Sequence, residues 1–116
     1  MPSLKIQTNV ELPAGRRKPV LRAASALVAE MLGKPEAYVM VILEHNPDML
    51  FAEDLGPLAA LELKSIGLPG ERTRELSASL CGFVEEQLGV PRNRIYIEFS
   101  DAARNMWGWN GGTFER

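Results

Sequence analysis

The chain has 116 residues, which is enough for one domain with a hydrophobic core of its own. A hydrophobic content of 46% and a charged content of 24% exclude a disordered or fibrous chain. The formal net charge of −2 argues against a nucleic-acid-binding protein, and no apolar run approaches the roughly 20 residues of a membrane span. We therefore expect a single soluble domain over 1–116, without a nucleic-acid or membrane partner.

The first half of the chain predicts a strand, a helix and a second strand. Leu4, Ile6 and Thr8 alternate with polar residues, which is the pattern of a half-buried strand. From Pro19 to Leu32 apolar residues recur at helical spacing, with Pro19 in the first turn and Gly33 as the stop signal. The continuous apolar run over 39–43 predicts a strand that is buried on both faces.

The second half repeats this order. Alternation over 59–66 predicts a strand, a helix with an apolar stripe follows and ends at Gly89, and 94–100 predicts the last strand, with Tyr96 and Glu98 facing away from Ile95 and Ile97.

The two halves match at a fixed offset, since 89 − 33 and 95 − 39 both equal 56. Two β-α-β units, at about 2–44 and 58–100, predict an α/β fold: a four-stranded mixed sheet with both helices on one face. The other face stays open, so we expect a closed homo-oligomer. The aromatic segment 105–116 holds both tryptophans and predicts either a subunit contact or a ligand wall.

Pro2 is the strongest candidate for chemistry. Removal of Met1 would make it a secondary amine, and burial or a nearby cation would keep that amine neutral and able to act as a general base. The alternative is an inert processed terminus.

Cys81 is the only cysteine and His45 the only histidine, which leaves no intramolecular disulfide, no cysteine-rich zinc site and no pair of histidine ligands. The sequence offers no other site for a metal or an organic cofactor, and we expect neither. Because the N-terminal residues lack the pattern of a secretory signal, we expect a cytoplasmic protein, with non-classical export left open.

Seven short motifs in order along the chain resemble the macrophage migration inhibitory factor family of the tautomerase superfamily. They are Met1-Pro2, Thr8-Asn9-Val10, Gly33-Lys34-Pro35, Ser65-Ile66-Gly67, Leu80-Cys81-Gly82, Arg94-Ile95-Tyr96-Ile97 and Gly108-Trp109-Asn110 with Thr113-Phe114.

The resemblance implies a cofactor-independent keto–enol tautomerase that acts on phenylpyruvate-like α-keto acids and assembles as a homotrimer, with active sites between subunits. Pro2 would be the catalytic base and Lys34 the partner of the substrate carboxylate, although a lysine at a helix C-terminus is also common without any function. Tyr96 would come from the adjacent subunit, Ile66 would contact substrate through its backbone, and Trp109 and Phe114 would form an aromatic wall.

Three positions near the site depart from the family pattern, and a fourth departure puts Leu58-Ala59-Ala60-Leu61 where the mammalian protein has Cys-x-x-Cys. Glu98 replaces an asparagine, and its carboxylate would repel an anionic substrate unless it is protonated or turned away. Trp107 replaces an aliphatic pocket residue, and Lys64 replaces a histidine and adds a cation near the site. Two other functions stay open: a cytokine-like protein that binds a receptor, and another superfamily reaction on unsaturated acids, with Glu98 activating water.

Overall fold

The computed structural model describes residues 1–115, and Arg116, the last residue of the predicted aromatic segment, lies outside the described part. Four strands form one sheet: β1 (Ser3–Thr8), β2 (Met40–His45), β3 (Ala59–Ile66) and β4 (Ile95–Ala102). The helices α1 (Ala14–Leu32) and α2 (Thr73–Leu88) connect β1 to β2 and β3 to β4. Two short strands, β5 (Gly108–Trp109) and β6 (Gly112–Thr113), form a separate hairpin near the C-terminus.

The sheet has the order β2-β1-β3-β4. Strands pair in parallel within each repeat, β1 with β2 and β3 with β4, and the two repeats meet through the antiparallel pair β1–β3. The predicted α/β fold with a mixed four-stranded sheet is therefore confirmed. The duplication extends to the short 3-10 turns before β2 and β4, at Glu36–Tyr38 and Arg92–Arg94, which again differ by 56 residues.

One face of the sheet carries the core. Leu4, Ile6 and Thr8 of β1 are buried as the alternation predicts, and each fully buried leucine or isoleucine contributes about 1.5–3 kcal/mol. The helices add one buried residue per turn: Val20, Ala24 and Val28 from α1, and Leu76, Leu80, Val84 and Leu88 from α2. Cys81 is buried among them.

The prediction for 39–43 was wrong in one respect, because β2 is an edge strand with one exposed face. Met40 is 60% exposed and Ile42 is 42% exposed, whereas Val41 and Leu43 pack against the core. Within residues 1–115 of a single chain, no element covers the second face, so only one face of this apolar strand is shielded from water.

The start of α1 was also predicted wrongly. The helix begins at Ala14, five residues before Pro19, and Pro19 lies inside it at an exposed position. The preceding Pro13 supplies the extended residue before the helix, and its carbonyl accepts the Arg16 amide at 2.9 Å. A polar first turn carries no apolar periodicity, so the sequence pattern does not mark it.

Candidate active site

Pro2 is fully buried at the start of β1. Its carbonyl accepts a hydrogen bond from the Met40 amide at 3.0 Å, so the parallel β1–β2 pairing fixes its backbone from the residue before the strand. With Met1 in place, the Pro2 nitrogen is a peptide nitrogen without a free lone pair. It marks the position that a secondary amine would occupy after Met1 is removed.

A cavity of about 260 Å³ opens beside Pro2. Its walls come from the chain start, from the turn before β2 and from the C-terminal hairpin: Met1, Pro2, Ser3, Ala37, Tyr38, Val39, Met40, Trp107, Gly108, Trp109 and Phe114. Three rings form the aromatic part of this wall. Trp109 and Phe114 are stacked with centroids 5.4 Å apart, and Tyr38 meets both edge-on, at 5.4 Å from Trp109 and 5.9 Å from Phe114.

A tight turn brings these aromatic residues together. Asn110 and Gly111 both have positive φ, at 52° and 77°, which is the geometry of a two-residue hairpin turn and which Asn-Gly sequences favour. The turn pairs Trp109 with Gly112, and the Phe114 amide donates to the Trp107 carbonyl at 3.3 Å. Trp107, at the position of an aliphatic residue in the family pattern, is half-buried in the same wall.

Lys34 follows α1 directly. Gly33 ends the helix in the left-handed conformation, with φ of 62°, and the Lys34 amide donates back to the Ala29 carbonyl at 3.1 Å. Lys34 does not line the cavity, but its charge reaches the chain terminus. Burial, and after it the positive charge of Lys34, lowers the pKa of the Met1 amine from the usual α-amino value. Both effects disfavour a cation at the end of β1.

Lys64 and Ile66 lie at the end of β3 beside the start of β1. The antiparallel register pairs Lys64 with Ser3, the residue after Pro2. Lys64 is exposed and its Nζ lies 3.7 Å from a Glu62 carboxylate oxygen, whereas Ile66 is buried. The structure thus brings both residues to the Pro2 end of the sheet, although neither lines the cavity.

Tyr96 and Glu98 do not join this group within one chain. Tyr96 is 71% exposed and pairs in register with Ala60, which in turn lies opposite Gln7 near the far end of β1. At about 3.3 Å per residue, Gln7 is roughly 17 Å along the strand from Pro2. The Tyr96 ring contacts Phe51 instead, with centroids 4.7 Å apart, and Glu98 is exposed on the same open face of the sheet.

Tyr38 is the main cavity residue that the sequence analysis missed. Its only sequence signal is an aromatic residue directly before a strand, at the end of the Pro35–Tyr38 turn. That signal is weak because it depends on two rings that lie about 70 residues further along the chain. Met40 was assigned to a buried strand, but it is exposed and lines the cavity.

Two further questions concern metal ligands and membrane spans. No group of three or more histidine, cysteine, aspartate or glutamate side chains lies close enough to hold a metal ion among residues 1–115. In the same range, no helix has the length and apolar character needed to cross a membrane.

The fold defines a class of protein. Two β-α-β units that form a mixed four-stranded sheet are the fold of the tautomerase superfamily. Residues 1–115 match the profile of the macrophage migration inhibitory factor family, and the chain belongs to that family.

Curated relatives and solved structures agree with this membership. The chain is 36% identical to the macrophage migration inhibitory factor homolog of Brugia malayi over 115 residues, covering 98% of this chain and 99% of the relative. It is 33% identical to the Xenopus tropicalis macrophage migration inhibitory factor over 118 residues, with 98% and 99% covered.

The structure of the homologue from Prochlorococcus marinus aligns with a TM-score of 0.90 at 44% identity, over 97% of this chain and 99% of that one. The structure from Trichinella spiralis aligns with a TM-score of 0.88 at 34% identity, over 96% and 98%. The resemblance stated from the seven motifs is therefore confirmed.

Proposed function

We propose that this protein is a cofactor-independent keto–enol tautomerase that acts on phenylpyruvate-like α-keto acids, with Pro2 as the general base once Met1 has been removed. The observation that carries the proposal is the full burial of Pro2 beside an aromatic cavity, in a chain of the macrophage migration inhibitory factor family. The reaction moves one proton from the carbon next to the ketone to the carbonyl oxygen, and it needs no redox partner.

A base for this step must be neutral at the working pH and must lie close to the carbon. The lowered pKa of the Met1 amine supports the first requirement, because the same burial and the same Lys34 charge would act on a Pro2 amine one residue further in. The neutral amine takes the proton from the α-carbon, and the resulting ammonium group gives a proton to the carbonyl oxygen, which completes the enol and restores the neutral amine.

The surroundings of Pro2 suit both the aryl group and the carboxylate of an arylpyruvate. The Tyr38, Trp109 and Phe114 rings offer edges and faces to an aryl group. Lys34 supplies the charge that would hold the carboxylate, and Lys64, at the same end of the sheet, adds a second cation. Ile66 would contribute its backbone at the edge of the site. Trp107 narrows the cavity, which favours a substrate with a flat ring over one with a bulky substituent.

We further propose that the active unit is a homotrimer in which each site is shared between two subunits. The separation of Tyr96 and Glu98 from Pro2 along the sheet supports this assembly, because in one chain neither side chain reaches the cavity. The exposed Met40 and Ile42 on the open face give such an assembly apolar surface to bury. In a shared site, the Glu98 carboxylate of a neighbour would disfavour dianionic substrates relative to monoanionic ones.

The decisive variant is Pro2→Gly. It is assayed in the enol-to-keto direction, by adding the enol form of phenylpyruvate and following the loss of its absorbance. General base catalysis typically contributes about 10²–10⁴-fold, so we expect kcat/KM to fall by at least 10²-fold while the circular dichroism spectrum stays unchanged. A preparation that retains Met1, verified by mass spectrometry, should be equally inactive, since its Pro2 nitrogen is an amide. Undiminished turnover in either protein would contradict the assignment of Pro2 as the base.

A further inference from the structure

A second cavity of about 260 Å³ lies at the opposite end of β1 from Pro2. It is lined by Thr8, Val10, Leu12, Arg17, Leu21, Leu43 and His45. Thr8 and His45 are the last residues of β1 and β2 and are paired in register. The strand rise of about 3.3 Å per residue puts roughly 20 Å between this cavity and Pro2, and no residue lines both cavities.

The charged side chain that lines this cavity is positive. Arg17 is its charged residue, and no acidic side chain lines it. The Arg17 Nε donates to the Leu12 carbonyl at 3.3 Å, and its two terminal nitrogens make no hydrogen bond or ion pair with other residues in 1–115. The nearby Glu44 is directed to the other face of the sheet, where it accepts a hydrogen bond from Gln7 and pairs with Lys5. The cavity therefore offers a cation without an internal counterion.

The second repeat shows what occupies the equivalent place there. At the offset of 56 residues, Asp101 corresponds to His45 and Leu68 corresponds to Leu12. An Asp101 carboxylate oxygen accepts the Leu68 amide at 3.0 Å. In the first repeat the carboxylate is replaced by an imidazole, and within residues 1–115 the Leu12 amide donates to no side chain. The second repeat thus has the Asp101 carboxylate at the place where the first repeat has a cavity and Arg17.

We propose that this cavity binds a small amphipathic monocarboxylate from solution. Its carboxylate would lie between the Arg17 guanidinium and the Leu12 amide, in the place that Asp101 takes in the second repeat. Its hydrocarbon part would pack against Val10, Leu21 and Leu43. Arginine matches a carboxylate with two parallel donors. The volume is below the ~300–1,000 Å³ of pockets for drug-sized ligands, which limits the ligand to a short chain or a single ring.

The test is a titration of the full-length protein with octanoate, followed by two-dimensional ¹⁵N–¹H NMR. The site predicts saturable shifts at the Leu12, Leu21 and His45 amides. Octan-1-ol, which has the same chain length without the charge, should bind at least about tenfold more weakly, because one charge-assisted contact is worth that much. Arg17→Gln should weaken octanoate binding by a similar factor without changing phenylpyruvate turnover.

Arg16→Gln is the matched control, because Arg16 lies next to Arg17 on α1 but donates to the Gln87 carbonyl and does not line the cavity. Its octanoate affinity should stay within about twofold of the parent protein. The proposal fails if octanoate shifts only the Tyr38 and Trp109 amides of the first cavity, if octan-1-ol binds as tightly as octanoate, or if Arg17→Gln binds octanoate normally. The shifts at the Leu12, Leu21 and His45 amides do not depend on catalysis at Pro2, so a protein with an inactive Pro2 site should show the same octanoate binding at this second cavity.

Discussion

Arg94 fastens the loop 51–57 to the sheet, and Arg94→Met should measure how much that contact contributes to stability. Its Nε donates to the Pro57 carbonyl at 2.8 Å, and its terminal nitrogens donate to the carbonyls of Asp54 at 2.8 Å, Phe51 at 3.1 Å and Gly56 at 3.3 Å. The guanidinium also lies 5.4 Å from the centre of the Phe51 ring, which in turn packs on Tyr96. Methionine keeps an unbranched apolar stem as far as the position of Nε but removes every donor.

The expected loss follows from which carbonyls water can reach. The Pro57 and Asp54 contacts are exposed, so water replaces the lost donors there at little cost, whereas the Phe51 and Gly56 contacts are partly buried. Two partly buried bonds at about 1–1.5 kcal/mol each predict a loss of about 2–3 kcal/mol in the free energy of unfolding. The exposed Asp54 carboxylate, 3.9 Å from the guanidinium, adds little.

Arg92→Met is the control in the same turn. Arg92 makes one exposed ion pair, at 3.2 Å from Glu85, so its loss should cost about 0–1 kcal/mol. Urea unfolding followed by far-UV circular dichroism, at one fixed protein concentration, measures both variants. With a typical slope of about 1–3 kcal/mol per molar urea, a difference of about 1–3 kcal/mol should put the midpoint of Arg94→Met about 0.3–3 M below that of Arg92→Met. Coincident midpoints would refute the reasoning.

Two further predictions concern the proposed site. Lys34→Ala should raise KM for phenylpyruvate by about 10-fold or more through loss of the carboxylate partner. Removal of the Lys34 charge should also raise the pKa of the catalytic amine, so the rising limb of kcat/KM against pH should move to higher pH. The control is Lys18→Ala, which removes an exposed lysine of α1 and should change neither KM nor the pH profile. If sites are shared between subunits, refolding inactive Pro2→Gly and Tyr96→Ala chains together in equal amounts should restore about a quarter of the native activity, since that share of sites receives both native residues. An unchanged pH profile would contradict the role of Lys34, and an inactive mixture would contradict the sharing of sites between subunits.

The local patterns of the sequence predicted much of the fold. Alternation in β1 and β3, the apolar stripe of α2 and the glycines that end both helices depend on neighbours a few residues away, and the structure follows them. The offset of 56 residues was enough to indicate two β-α-β units. The start of α1 was not predicted because residues 14–19 are all exposed, so that no difference in burial marks it.

The candidate site was predictable only in part. Pro2 and Lys34 could be singled out from residue type and motif. Tyr38 could not, because it becomes part of the site only through the rings of Trp109 and Phe114. The cavity near Arg17 could not be predicted either. An arginine beside apolar residues does not indicate a cavity, because the cavity forms only where the end of a neighbouring strand encloses the space.

The sequence by itself determined which residues turn inward in each element and that the elements occur twice, because burial periodicity is a property of short segments. Only the tertiary structure decided that β1 and β3 are the central antiparallel pair, which leaves β2 at an edge with Met40 and Ile42 exposed. It also decided that Tyr96 lies at the far end of the sheet from Pro2. Both outcomes depend on which distant strands form hydrogen bonds with each other, and no local pattern of residues specifies that choice.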